Sequence, residues 1–127
     1  MEKPDRALRI LVAEDEPLVK EVIFVYLDGD GHTVVTAENG VQALEKFETG
    51  DYDIVLTDRS MPELNGDQLA IAIKERNPVT PVVLLTGFGD LMEEGGAQPS
   101  GVDVIVSKPF TLDTLRTAIA RGMERRI

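Results

Sequence analysis

Asp53-Ile54-Val55-Leu56-Thr57-Asp58-Arg59-Ser60-Met61-Pro62, residues 53–62, decide the fold. Ile54, Val55 and Leu56 form a continuous apolar run too short for a helix, which predicts a central strand buried on both faces over 53–57. Asp58 stands at its C-terminal end, and a loop follows as far as Asn65. A strand covered on both sides needs helices to cover it. Working outward, short apolar runs do alternate with segments of helical period, the pattern of βα units building a parallel sheet.

Upstream, residues 8–13 read as the first strand. Pro17 suits the first turn of a helix whose apolar positions Leu18, Val22, Val25 and Tyr26 recur at helical spacing, ending over 28–31. Residues 33–37 alternate as a second strand. Asn39 and Gln42 resemble a capping box opening a helix with Val41, Leu44 and Phe47 on one face, closed by Gly50. Downstream of the quoted stretch, a helix through Arg76 turns Leu69, Ala70 and Ile73 inward and stops at Asn77-Pro78. Gly66 permits a turn before it. Residues 82–85 and 102–106 are the fourth and fifth strands. Thr111 caps a last helix with Leu112, Leu115, Ile119 and Met123 inward and Arg121, Arg125 and Arg126 toward its C-terminus. Over 90–101, Gly95, Gly96, Pro99 and Gly101 leave room for a short helix at most. The expectation is an α/β open parallel sheet of five βα units with helices on both faces, one domain over 1–127, with 1–6 a flexible tail.

Bulk properties narrow the chemistry. The chain has 127 residues, 43% hydrophobic, enough for one core. Thirteen Lys and Arg against 23 Asp and Glu give a net charge of -10, which argues against nucleic acid and anionic membranes as direct partners. There is no cysteine, and the single His32, expected to be an exposed strand-start residue, builds no metal cluster. Carboxylates are the plentiful metal ligands. No apolar run reaches the roughly 18 residues that span a bilayer, so a cytoplasmic location is expected.

In open α/β sheets, ligands bind beyond the carboxyl ends of the strands. Glu14 and Asp15 follow strand 1, Asp58 ends strand 3, Thr86 ends strand 4, and Lys108 lies just after strand 5. Three converging carboxylates raise one another's pKa unless a cation neutralises them, and Mg2+ suits such an oxygen site. A carboxylate also serves as a nucleophile toward phosphorus. Lys108 supplies a compact cation, Thr86 a hydroxyl donor, and Gly87 an N–H that a ligand approaches closely. The set suits capture of a phosphoryl group.

Those residues carry a family resemblance. With Glu14-Asp15, Asp58-Arg59-Ser60-Met61-Pro62 followed by Gly66, Thr86-Gly87 and Lys108-Pro109-Phe110 in order, the chain resembles the receiver domains of two-component response regulators over essentially its whole length. The resemblance implies a flavodoxin-like fold with strand order 2-1-3-4-5. It implies Asp58 as phosphoacceptor, with a sensor histidine kinase or phosphotransfer protein as donor. It implies Mg2+ held by Asp15 directly, by Glu14 mainly through water, by Asp58 and by the Ser60 carbonyl, and a cis Lys108-Pro109 peptide. It implies a signalling domain rather than an ordinary enzyme, one that catalyses its own phosphotransfer and dephosphorylation. Two positions depart from the family pattern: Glu14 stands where Asp is frequent, and Ile105 stands where an aromatic residue often reports phosphorylation. An ordering of 87–101 is then expected to carry the signal.

Taken singly, each of these residues has an ordinary reading: Glu14, Asp15 and Asp58 as solvated caps, Lys108 as a surface lysine, Thr86 as a strand-end threonine. Phe88 and Phe110 read equally as partner surface or as rim of the core. A flavodoxin-like cofactor binder needs a phosphate loop after strand 1, where Glu14-Asp15-Glu16 stand instead. An aspartate phosphatase commonly has a second Asp two residues on, where Ser60 stands. The remaining alternative is a degenerate receiver acting as a phosphorylation-independent interaction module.

Overall fold

The computed structural model describes residues 6–87 and 100–124. Its strands are β1 (Arg9–Ala13), β2 (Thr33–Ala37), β3 (Ile54–Asp58), β4 (Val82–Thr86) and β5 (Val104–Ser107), and its helices α1 (Pro17–Gly29), α2 (Gly40–Thr49), α3 (Gly66–Arg76) and α4 (Leu112–Glu124). All strand pairs are parallel and the order is β2-β1-β3-β4-β5, as expected. Asp58 and Thr86 prove to be the last residues of their strands, and β5 begins two residues later than the apolar run suggested. The short helix expected within 90–101, and Phe88, lie outside the described residues apart from Ser100 and Gly101. Of the expected tail, Arg6 is described and pairs with Asp53.

Side chains alternate across the sheet and divide the core into two layers. Ile10, Val12, Ile54, Leu56, Val83 and Leu85 meet α1 and α4 on one face. Leu11, Ala13, Val55, Val82 and Leu84 meet α2 and α3 on the other. Each layer exists because a strand's side-chain period is two.

Three expectations need correction. In α1 the core side is Val19, Ile23, Tyr26 and Leu27, while Leu18, Val22 and Val25 are exposed. The helix is apolar at 18, 19 and every position from 22 to 27, so two adjacent stripes satisfy the helical period and only the sheet chooses between them. Val41 is likewise exposed, and Gly40, Ala43 and Phe47 form the buried side of α2. His32 is buried, not exposed. Its Nδ1 accepts the N–H of Leu8 (3.0 Å), extending the β1/β2 pairing by a side-chain bond where the ladder stops.

Caps follow the local sequence. Asn65 and Gln68 form a reciprocal capping box at α3. At α2, Asn39 accepts from the Gln42 N–H (2.7 Å), but Gln42 Oε1 accepts from the N–H of Glu38, so that box is displaced by one residue. Among the described residues no helix is long and apolar enough to cross a membrane.

Candidate functional site

Because the strands are parallel, their carboxyl ends share one edge of the sheet, and one backbone bond just beyond each of three strands carries the order onward. Glu14 N–H donates to Ala37 O (3.0 Å), Arg59 N–H to Leu85 O (3.0 Å) and Lys108 N–H to Thr86 O (2.7 Å). The residues just past β1, β3 and β5 are therefore tied by their backbone N–H to the neighbouring strand.

These bonds bring the expected residues together. Carboxylate oxygens of Glu14, Asp15 and Asp58 lie within 4.8 Å of one another. Lys108 Nζ reaches into the cluster, 2.6 Å from Asp58 Oδ1 and 3.3 Å from Glu14 Oε1. The Lys108-Pro109 peptide is cis, as the resemblance implied. Thr86 is buried, and its Oγ1 has no hydrogen-bond partner among the described residues. Ser60 is exposed on the loop after Asp58, and Asp15 is exposed at the mouth.

Burial pushes the Glu14 carboxyl above the usual carboxylate range. The Glu16 N–H and Lys108 oppose that rise, and the charge of Asp58 adds to it. Burial likewise raises Asp58 against the hydrogen bond and charge of Lys108, with Asp15 adding to the rise. For Lys108, burial disfavours the charged form, but Asp58 and Glu14 outweigh it and the pKa is raised. Mutual repulsion of carboxylates, the cause expected from sequence, is thus secondary to their removal from water.

The site offers a buried carboxylate, a paired cation, a hydroxyl without a partner among the described residues and a cluster of oxygen donors suited to a hard divalent ion. The donor set fits Mg2+ better than a softer metal, since no thiol or imidazole belongs to it.

Sequence reasoning missed two features. Arg59 Nη2 pairs with Asp67 Oδ2 (2.9 Å) beside Asp58. Gly66 is more than a turn residue: a Cβ there would lie 2.4 Å from Asp58 O, so the close approach of α3 to the site requires glycine. The spacing of Arg59 and Asp67 held no local signal, because they meet only through that approach. Ile105 is half-buried against the α2/α3 core, and most of 87–101, where a response was expected, lies outside the described residues.

Residues 10–120 match the response regulator receiver domain family. The transcriptional regulatory protein TcrA of Mycobacterium tuberculosis is 34% identical over 119 residues, 94% of this chain and 47% of that protein. The sensor protein EvgS of Escherichia coli K12 is 33% identical over 114 residues, 90% of this chain and 10% of that protein. The chain therefore spans about half the length of TcrA and about a tenth of EvgS. A receiver domain protein from Clostridium thermocellum superimposes with TM-score 0.85 at 34% identity, covering 95% of this chain and 97% of that one. TrrA of Thermotoga maritima, solved with Mg(2+)-BeF, superimposes with TM-score 0.79 at 34% identity, covering 89% and 96%.

Proposed function

The chain belongs to the response regulator receiver domain family, a phosphoacceptor signalling module, and we propose that it takes a phosphoryl group onto Asp58 with Mg2+ from a phosphohistidine of a sensor kinase or phosphotransfer protein. We read 1–127 as one such unit, working in the cytoplasm. The cluster of Glu14, Asp15, Asp58 and Lys108, with Thr86 at the end of the neighbouring strand β4, carries the proposal.

Asp58 Oδ attacks phosphorus, the P–O bond forms, and the P–N bond of the donor breaks with its electron pair returning to the ring nitrogen. Asp15, Glu14, Asp58 and the Ser60 carbonyl would hold Mg2+, Glu14 mainly through water. When bound, the ion offsets the charge of the phosphoryl oxygens. Lys108, whose charge the site favours, moves from the free carboxylate to a phosphoryl oxygen, and the Thr86 hydroxyl, without a partner among the described residues, gains an acceptor. These groups make the chain the catalyst of its own phosphotransfer and hydrolysis. The exposed apolar Leu18 and Val22 of α1 form an open groove with Pro109 and Phe110 beside Lys108, which suits a protein donor rather than a small one.

Labelling with acetyl phosphate or a kinase tests this. The wild-type chain should accept up to one phosphoryl group per molecule in a Mg2+-dependent way, and Asp58→Asn should accept none. Asp53→Asn should still label, because Asp53 sits at the opposite end of β3, where its Oδ2 accepts the Arg9 N–H (2.9 Å). Absence of labelling in the wild type would favour the phosphorylation-independent module. Labelling of Asp58→Asn would remove Asp58 from the role.

A further inference from the structure

Arg59, the residue after Asp58, is held from three sides. Its N–H donates to Leu85 O of β4, its C=O accepts the Gly66 N–H (2.9 Å), and its guanidinium donates to Asp67 Oδ2 (2.9 Å). Residues 60–65 are thus a loop closed at its base twice, once through the backbone and once through an ion pair. The pair is only 15% and 28% exposed, so it is screened less than a surface pair.

The rest of the loop has its own anchors. Met61 is buried in the α2/α3 core, Leu64 packs against that core, and Leu64 O occupies the space a Cβ on Gly40 would need. Ser60, between Arg59 and Met61, is exposed. Asp67 lies in the first turn of α3, where the helix dipole favours a carboxylate, and α3 reaches Asp58 because Gly66 has no side chain.

Resting on the function proposed above, we infer that Arg59 is a positioning residue: its pair with Asp67 holds the loop that carries Ser60 in the arrangement Mg2+ demands, while touching neither the ion nor the phosphoryl group. Mg2+ requires near-octahedral ligands, so a main-chain ligand on a short loop must be oriented in advance by its neighbours. The planar guanidinium suits this better than an ammonium, because its fork fixes direction as well as distance.

The test uses the whole chain, with Mg2+ alone as probe, by titration calorimetry. The double variant Arg59→Met/Asp67→Asn removes one positive and one negative charge, so the net local charge is unchanged and geometry is isolated. Its Kd for Mg2+ should rise about tenfold, with metal-free melting and circular dichroism close to wild type. Arg59→Lys should recover part of the loss. If the double variant binds Mg2+ as tightly as wild type, the inference falls and the proposed function stands. Loss of the metal-free fold in the double variant would assign the pair to folding and overturn the inference too. If the wild-type chain binds no Mg2+, the proposed function falls and takes the inference with it.

Discussion

Gly66→Ala adds one methyl group at the point where α3 meets the end of β3. An ideal Cβ there lies 2.4 Å from Asp58 O, 2.8 Å from Leu84 Cδ1 and 2.9 Å from Arg59 Cα. Carbon contacts settle at roughly 3.5–4.0 Å. The Leu84 methyl is able to turn aside, but the other two atoms are main chain. Asp58 is in register with Leu85, Arg59 N–H bonds to Leu85 O, and Gly66 N–H bonds to Arg59 O, so moving either backbone atom breaks a ladder contact or shifts α3. Overpacking of this kind costs about 1–3 kcal/mol, and the better helix propensity of Ala offsets part of it, at most about 1 kcal/mol. Two main-chain clashes under 3 Å put the cost at the upper end of that range, so the net loss is about 2 kcal/mol, or roughly 8 °C in Tm for a domain of this size. Scanning calorimetry of the metal-free protein reads this directly, with Gly29→Ala as the control. Gly29 also lies in a helix, has no atom within 4 Å of its ideal Cβ, and should gain stability or stay level. Because the displaced atoms belong to Asp58 and Arg59, Mg2+ binding should weaken as well. A Gly66→Ala protein melting at or above wild type would refute the reasoning.

The raised carboxyl pKa values set a pH dependence of known sign. A carboxyl raised in the native state binds protons there that the unfolded chain has released, so metal-free stability should fall as pH rises above about 4, the unfolded value. Lys108 adds nothing to that fall, since stability from a raised lysine is lost only as pH climbs past its ordinary alkaline range. Asp58→Asn should therefore melt at increasing advantage over wild type as pH rises from the ordinary carboxylate range toward neutrality, and millimolar Mg2+ should shrink the gap by stabilising the wild type; a gap that does not change with pH would contradict this. His32→Leu keeps the bulk but leaves the buried Leu8 N–H without its acceptor, so urea unfolding should show a loss of about 1–3 kcal/mol, and an unchanged midpoint would mean that the Leu8–His32 bond contributes nothing.

What the sequence by itself determined is whatever depends on neighbours a few residues apart. The buried run at 54–56, the Asn-x-x-Gln signal at 39–42, the inward trio Leu69, Ala70 and Ile73, and the stop at Asn77-Pro78 are local, and the structure agrees with them apart from the displaced second half of the Asn39 box. The location of the site was legible for a related reason. Once the strands are parallel, a residue at the C-terminal end of any of them lies on the same edge, and Asp58, Thr86 and Lys108 follow from counting. Only the tertiary structure decided the phase of α1, because a helix apolar over most of its circumference has no preferred face until a sheet is laid against it. It decided that His32 is buried, through a bond to a residue 24 positions away. It brought Lys108 onto Glu14 across 94 positions and made burial, rather than mutual repulsion, the first cause of the site's raised pKa values. Arg59 and Asp67, eight positions apart, meet only through the approach of α3 to the end of β3: desolvation and contacts between elements are properties of the folded arrangement, and no spacing along the chain encodes them.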